Sequence, residues 1–97
     1  MKWIEIITLR SFGKNNTQMI DELLHQISQQ KESGRPASIS VYSHSIIETD
    51  LSVHINWEAQ EQHPGASSLG QRIAHALKTL GQLNHSIWIE VDANDNR

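Results

Sequence analysis

Residues 51–58 read Leu-Ser-Val-His-Ile-Asn-Trp-Glu, the clearest alternation of apolar and polar side chains in the sequence. Because successive side chains of a β-strand point to opposite faces, this alternation predicts a strand with one apolar and one polar face. Residues 38–47 are also rich in β-branched residues, and only residues 48–50 separate the two segments, which predicts an antiparallel hairpin. The core-facing side chains of its second strand are Leu51, Val53, Ile55 and Trp57.

Two further strands and two helices complete the pattern. Residues 3–10 and 85–91 have the composition of strands. Residues 17–33 and 67–80 carry apolar side chains at helical spacing, and a glycine follows each segment, which predicts two amphipathic helices. The order β-α-β-β-α-β predicts an α+β, ferredoxin-like domain. Its four-stranded antiparallel sheet has the order 4-1-3-2, with both helices on one face.

The composition limits the class of protein. The chain has 97 residues, a formal net charge of -3 and no cysteine. This length suits one domain, predicted over residues 1–91, with a polar tail over residues 92–97. Disulfides and thiolate sites are excluded, and the negative charge argues against binding to a nucleic-acid backbone. With no long apolar run and a charged residue inside the first apolar stretch, we expect a cytoplasmic protein without a membrane partner.

The predicted helices cover only one face of the sheet, and the other face decides the function. Ile4 and Ile6 are predicted to face the helices. The opposite face is predicted to carry Trp3, Glu5, Ile7 and Leu9 from the first strand, Ser40, Tyr42, His44 and Ile46 from the second, Ser52, His54, Asn56 and Glu58 from the third, and Ser86, Trp88 and Glu90 from the fourth. Such a mixture is typical of a binding cavity, and also of one half of a sheet-to-sheet dimer.

His44 and His54 are the first catalytic candidates on this face, together with Tyr42. If Ile47 pairs with Leu51 across a three-residue loop, His44 lies opposite His54, with Cβ atoms about 5 Å apart. Two such imidazoles could be plain polar sheet residues, could act as a general base, or could bind a metal if a third ligand were present. We predict no metal site and no cofactor. His85 is predicted to face the helices as a hydrogen-bonded structural residue.

Aromatic and polar residues on the same face are the ligand-binding candidates. They are Asn56, Trp88, Glu90 and Trp3. Trp3, Tyr42 and Trp88 are predicted to form an aromatic platform, which suits flat ligands and also subunit interfaces.

The element order, the length and the half-apolar second face resemble the dimeric α/β-barrel superfamily, which includes antibiotic-biosynthesis-monooxygenase-like proteins. In that superfamily two ferredoxin-like subunits pack their sheets face to face, and each holds a pocket between its sheet and its helices or loops. The resemblance implies a homodimer through the sheet face and a small aromatic ligand. The haem-degrading branch uses an asparagine on its first strand, which residues 3–10 lack, so haem chemistry is not carried over.

Two functions therefore stay open. The first is a monooxygenase-like enzyme, or a binder of a small aromatic ligand, in which His44 or His54 moves a proton and dioxygen reacts without a protein-bound metal. The second is a non-catalytic dimer whose polar and aromatic sheet face is only the subunit interface. A cavity on this face favours the first function, and dry packing favours the second.

Overall fold

A computed structural model describes residues 2–11, 21, 24–25, 38–47, 49–58 and 64–91. The described strands are β1 (Trp3–Ser11), β2 (Ser38–Ser43), β3 (Asp50–Trp57) and β4 (Gly81–Ile89). They form one antiparallel sheet in the order β2-β3-β1-β4, which is the predicted order. Helix α1 (Ser68–Leu77) packs against β1 and β4 and continues into a short 3-10 helix, Lys78–Leu80. The predicted α+β, ferredoxin-like class is confirmed.

The first predicted helix, over residues 17–33, lies mostly outside the described residues. Asp21, Leu24 and His25 are described as helical, and Leu24 packs against the core. The predicted tail over residues 92–97 also lies outside the described part of the chain. Among the described residues, no helix has the length and apolar character needed to cross a membrane.

The core lies between the sheet and α1. Its buried side chains are Trp3, Ile7, Leu9, Leu51, Val53, Ile55, Trp57, Ile73 and Leu77. The apolar face predicted for residues 51–58 is confirmed, since all four of its side chains belong to this core. The two central strands, β1 and β3, supply most of the core because both of their edges are covered by other strands.

The predicted orientation of the first strand was wrong. Trp3 and its alternate neighbours Glu5, Ile7 and Leu9 are buried against α1 rather than on the opposite face. Ile4 and Ile6, which were predicted to face the helices, lie on the opposite face. Burying a large apolar side chain stabilises a protein by roughly 1.5–3 kcal/mol, and three such side chains lie on the Trp3 side of the strand. The charge of Glu5 does not reverse this preference, because the carboxylate finds hydrogen-bond donors inside the protein.

The register of the hairpin also differs from the prediction. Ser40 pairs with His54, and the last pair is Ser43 with Leu51, which displaces the register by four positions. The backbone N–H of His44 donates to Asp50 O at 2.8 Å, so the connection spans residues 44–49. A shift of four keeps every side chain on its predicted face, so the alternation could not distinguish the two registers. His44 and His54 therefore do not lie opposite each other.

Ser67 and Gly81 stand at the two ends of the helical segment formed by α1 and its 3-10 continuation. Ser67 is the N-cap, and its Oγ accepts the backbone N–H of Gly70 at 2.9 Å. The α-helix ends at Leu77 and its 3-10 continuation ends at Leu80, where Gly81 is the C-cap, as predicted, and also begins β4. A Cβ at Gly81 would lie 2.8 Å from Arg10 C, which means that β1 and β4 approach too closely there for any side chain.

Candidate functional site

Two groups of polar and aromatic side chains lie on opposite faces of the sheet. The first, called the inner cluster, lies between the sheet and α1. It consists of Trp3, Glu5, Trp57, Ser67 and His85. The second lies on the outer face, which is the side of the sheet turned away from α1. It includes the side chains of Ile4, Ile6, Tyr42, Ser52, His54, Asn56, Ser86 and Trp88.

Glu5 is the buried carboxylate of the inner cluster, with 0% of its surface exposed. Ser67 donates its backbone N–H to Glu5 Oε1 and its hydroxyl to Oε2, the latter at 2.8 Å. These donors stand at the N-terminus of α1, where the helix dipole is positive and favours a nearby negative charge. The arrangement satisfies both carboxylate oxygens, which is the condition for burying this group.

Gly70 makes room for that carboxylate. A Cβ at this position of α1 would lie 2.9 Å from Glu5 Cδ and 3.0 Å from Oε1. Such distances are shorter than ordinary van der Waals contacts, so a side chain at Gly70 would displace Glu5. The first turn of α1 therefore accommodates the Glu5 carboxylate in two ways. Ser67 donates hydrogen bonds to it, and Gly70 has no Cβ to collide with it.

Trp3 and Trp57 form a stacked pair beside Glu5. Their ring centroids lie 5.5 Å apart with an interplanar angle of 13°. Both rings are buried, and neither indole Nε1 has a hydrogen-bond partner among the described residues. An unsatisfied buried donor costs about 1–3 kcal/mol, so two of them side by side require an explanation. An acceptor on a bound ligand would supply one.

His85 faces the inner cluster from β4, on the predicted side of the sheet. Its Nε2 lies 3.9 Å from Glu5 Oε1, and its side chain is 19% exposed. Nε2 is buried and has no hydrogen-bond partner among the described residues, so the hydrogen bond predicted for a structural histidine is not present at this atom. An imidazole next to a fixed carboxylate is an arrangement that can accept and hold a proton.

On the outer face, the structure brings together two of the three predicted catalytic residues. The rings of Tyr42 and His54 are 4.6 Å apart in an edge contact, and Tyr42 is about half exposed. His54 Nε2 lies 3.2 Å from Ser52 Oγ, within hydrogen-bond distance. A hydroxyl, a phenol and an imidazole therefore form a small polar group at the β2–β3 pair, and their chemical role stays a prediction.

His44 is the third predicted catalytic residue, and its local role differs from the prediction. Its Nδ1 accepts the backbone N–H groups of Ile46 and Ile47 at 3.1 and 3.0 Å. The imidazole therefore fixes the turn that follows β2 instead of facing His54. No group of three or more His, Asp or Glu side chains that could hold a metal is found within the part of the chain that the structure describes.

A hollow of about 460 Å³ lies at one end of the sheet, next to these residues. Tyr42 and His44 contribute to its lining. The other polar residues that line it are Thr8, Arg10, Ser43, Asp50, Ser52, Gln82 and Asn84. Arg10 Nε and Asp50 Oδ2 are 3.6 Å apart within this lining, so the charges of the hollow are partly paired.

The predicted aromatic platform is not formed. Trp3 lies on the inner side, while Tyr42 and Trp88 lie on the two edge strands of the sheet. Three interstrand spacings of about 4.8 Å separate those edges by about 14 Å, so one small ligand cannot contact both rings. Trp88 is 59% exposed, and its Nε1 donates to Ser86 Oγ at 2.9 Å.

The remaining ligand-binding candidates have local partners. Asn56 Nδ2 donates to Ser38 Oγ at 2.8 Å across the β2–β3 pair. Glu90 lies just beyond β4, is exposed, and donates its backbone N–H to Lys2 O at 2.9 Å. Neither residue approaches the inner cluster, and a role in ligand binding stays a prediction for both.

Glu5, Trp57 and His85 were not predicted as members of one site. A usable signal was present at Glu5, because its alternate neighbours Trp3 and Ile7 are both large and apolar. A carboxylate on the apolar side of a strand can be buried only where hydrogen-bond donors reach it. Ser67, the N-cap of α1, supplies the partner.

Comparisons with known proteins show the fold. No protein-family profile matches the sequence, and no curated protein matches it. A mutant of SnoaB, a cofactor-independent oxygenase from Streptomyces nogalater, superimposes with a TM-score of 0.66 at 10% identity over 98% of each chain. Rv0793 from Mycobacterium tuberculosis superimposes with a TM-score of 0.64 at 12% identity, covering 98% of this chain and 100% of its own. In its fold, this chain therefore resembles the antibiotic-biosynthesis-monooxygenase-like proteins of the dimeric α/β-barrel superfamily.

Proposed function

We propose that this protein binds a small phenolic aromatic molecule at the inner cluster and oxidises it with dioxygen, without a bound metal or organic cofactor. The observation that carries the proposal is the stacked pair of Trp3 and Trp57, whose buried indole N–H groups have no partner among the described residues. A flat ligand with hydroxyl or carbonyl oxygens supplies both a stacking surface and the missing acceptors. The fold shared with a cofactor-independent oxygenase supports the same reaction class. The expected compartment is the cytoplasm.

The chemistry needs a base and a dry site rather than a resident redox group. Removing the phenolic proton raises the electron density of the ring, so that dioxygen can take electrons from it directly. The balanced reaction converts a phenol and dioxygen into a quinone and water. One oxygen atom enters the ring, and the other leaves in the water. The chain contributes ring stacking, indole donors, exclusion of water and a group that takes the proton.

The first test is the ¹H–¹⁵N spectrum of the three tryptophan side chains during titration with 1-naphthol. We expect the Nε1–H signals of Trp3 and Trp57 to shift, because these donors gain an acceptor. Trp88 is the internal control, because its Nε1 lies on the outer face and already donates to Ser86. The variant Trp88→Phe assigns that signal and should bind 1-naphthol with unchanged affinity.

The second test is turnover. With 1-naphthol, chelator present and an oxygen electrode, we expect one dioxygen consumed for each 1,4-naphthoquinone formed. A shift of the Trp88 Nε1–H signal alone would mean that 1-naphthol binds at the outer face instead of the inner cluster. No shift in any of the three signals, for 1-naphthol and 1,5-dihydroxynaphthalene alike, would contradict an aromatic site in this protein.

We also propose that the outer face packs against a second copy of the chain. Ile4 and Ile6 form an apolar stripe at its centre, and the aromatic rings of Tyr42 and Trp88 are more than half exposed at its edges. Helix packing covers only one face of this sheet, and burying the apolar residues of the other face against a partner would add stability. If such a dimer forms but no aromatic ligand binds, the alternative function, a non-catalytic dimer, is favoured. A monomer at micromolar concentration by light scattering would contradict the dimer.

A further inference from the structure

We propose that His85 is the catalytic base of this site and that Glu5, held by Ser67, is the residue that positions it. The inference rests on the proposed function, because it names the group that takes the proton from the phenol. Neither Glu5 nor His85 stands out in the sequence as a catalytic residue, and the pair exists only because β1 and β4 are neighbours in the sheet.

The geometry gives each nitrogen of His85 a different task. Nε2 lies 3.9 Å from Glu5 Oε1 and has no hydrogen-bond partner among the described residues. An N–H at Nε2 directed toward the carboxylate leaves Nδ1 as the acceptor. When Nδ1 takes a proton, the ring becomes positive, and the negative charge of the buried Glu5 stabilises it at short range.

Ser67 and Gly70 give the carboxylate a single orientation. Ser67 donates to both oxygens of Glu5, through its backbone N–H and through its hydroxyl. Gly70 leaves the space that Glu5 occupies, since a Cβ there would lie 2.9 Å from Glu5 Cδ. Because Glu5 is wholly buried, it cannot turn toward solvent when Ser67 is lost without also breaking its packing. The N-terminus of α1 therefore positions the base through the carboxylate.

The protons and electrons of the proposed reaction balance. The phenolic O–H bond breaks and an N–H bond forms at His85 Nδ1. Dioxygen then takes four electrons from the ring, one of its atoms becomes the new carbonyl oxygen, and the other becomes water. The two protons of that water are the one that His85 returns and the one released from the ring carbon, so the imidazole ends the cycle neutral.

The test compares kcat and KM for 1-naphthol oxidation in matched variants. We expect His85→Ala to lower kcat at least 100-fold and Glu5→Gln to lower it at least tenfold, each with KM within threefold of the parent value. Added imidazole should restore turnover to His85→Ala and to no other variant, because it replaces the missing base. Ser67→Ala should lower kcat, and Ser67→Thr, which keeps the hydroxyl, should recover most of it. Ser68→Ala is the control, since Ser68 is the exposed neighbour that does not bond to Glu5.

The outcomes separate the two proposals. A parent protein that neither binds nor oxidises the naphthols contradicts the proposed function itself. A parent that is active, with His85→Ala equally active or with loss that imidazole does not restore in a folded variant, overturns the role of His85 alone. Thermal unfolding of each variant identifies those that are misfolded, and Glu5→Gln, which keeps the size of the side chain, provides the readout if His85→Ala does not fold.

Discussion

Glu5 belongs to the core although it carries a charge. Its oxygens are satisfied by Ser67, and its position on β1 is fixed by Trp3 and Ile7, the large apolar neighbours on the same side of the strand. From strand parity alone, this residue is predicted on the face opposite the helices, together with Trp3, Ile7 and Leu9. The partner that overturns this expectation is 62 residues away in the sequence, and no local pattern reveals it.

Gly70 tests this arrangement directly. Replacing a helical glycine by alanine normally stabilises a helix by about 1 kcal/mol. Here Gly70→Ala should destabilise the protein by about 1–3 kcal/mol, because the methyl group overlaps the Glu5 carboxylate. Urea unfolding measures the change. In a Glu5→Ala background the penalty should disappear, and a stabilising effect of Gly70→Ala in the parent would show that the carboxylate is not held there.

At the level of elements, periodicity predicted all four strands and α1, because each of these is a local pattern, and the succession β-α-β-β-α-β predicted the order of the strands in the sheet. It did not predict the β2–β3 register or the start of β4. Registers that differ by four positions put the same side chains on the same face, so alternation alone cannot choose between them. The His44 side chain accepts hydrogen bonds from the backbone N–H groups of Ile46 and Ile47, so residues 44–47 belong to the connection and not to β2. The observed register therefore goes with contacts of one side chain, which alternation does not predict.

The start of β4 depends on a close contact between two backbones. Gly81→Ala should destabilise the protein by about 1–3 kcal/mol, because its Cβ would lie 2.8 Å from both Arg10 C and Ser11 Cα and would separate the strands. Gln82→Ala, at the exposed next position, should change stability by less than about 0.5 kcal/mol. Thermal unfolding of the two variants measures the difference. Equal stability of both would mean that the strands do not approach closely at Gly81.

At the scale of the whole molecule, the two faces of the sheet have different compositions. The inner face combines the core with the Glu5–His85 pair, and the outer face presents an apolar stripe between polar edges. The composition of both faces was predictable for β2, β3 and β4. For β1 it was not, since apolar side chains occur at both even and odd positions and only the helix above them decides which side is buried.

The proposed dimer can be tested by placing a charge on the outer face. Ile6→Lys places a charge in the central stripe of the outer face and should convert the dimer to a monomer, because an unpaired charge at a covered interface is costly. Ala76→Lys adds the same charge on the exposed side of α1 and should leave the dimer intact. Sedimentation velocity at micromolar concentration measures the oligomeric state of both variants. Dimers in both variants would place the subunit contact elsewhere.

The stacked indoles of Trp3 and Trp57 also give the chain an optical signature. Two indoles with centroids 5.5 Å apart couple their electronic transitions, so we expect a paired band in the circular dichroism spectrum, produced by transition moments that are skewed within the two nearly parallel ring planes. The two rings belong to directly paired residues at one end of the β1–β3 ladder, and they meet only when these strands, which are distant in sequence, have joined. The band should therefore vanish as soon as tertiary packing is lost, even where secondary structure survives. Time-resolved dichroism can then follow the pairing of the two central strands during refolding, with no label added.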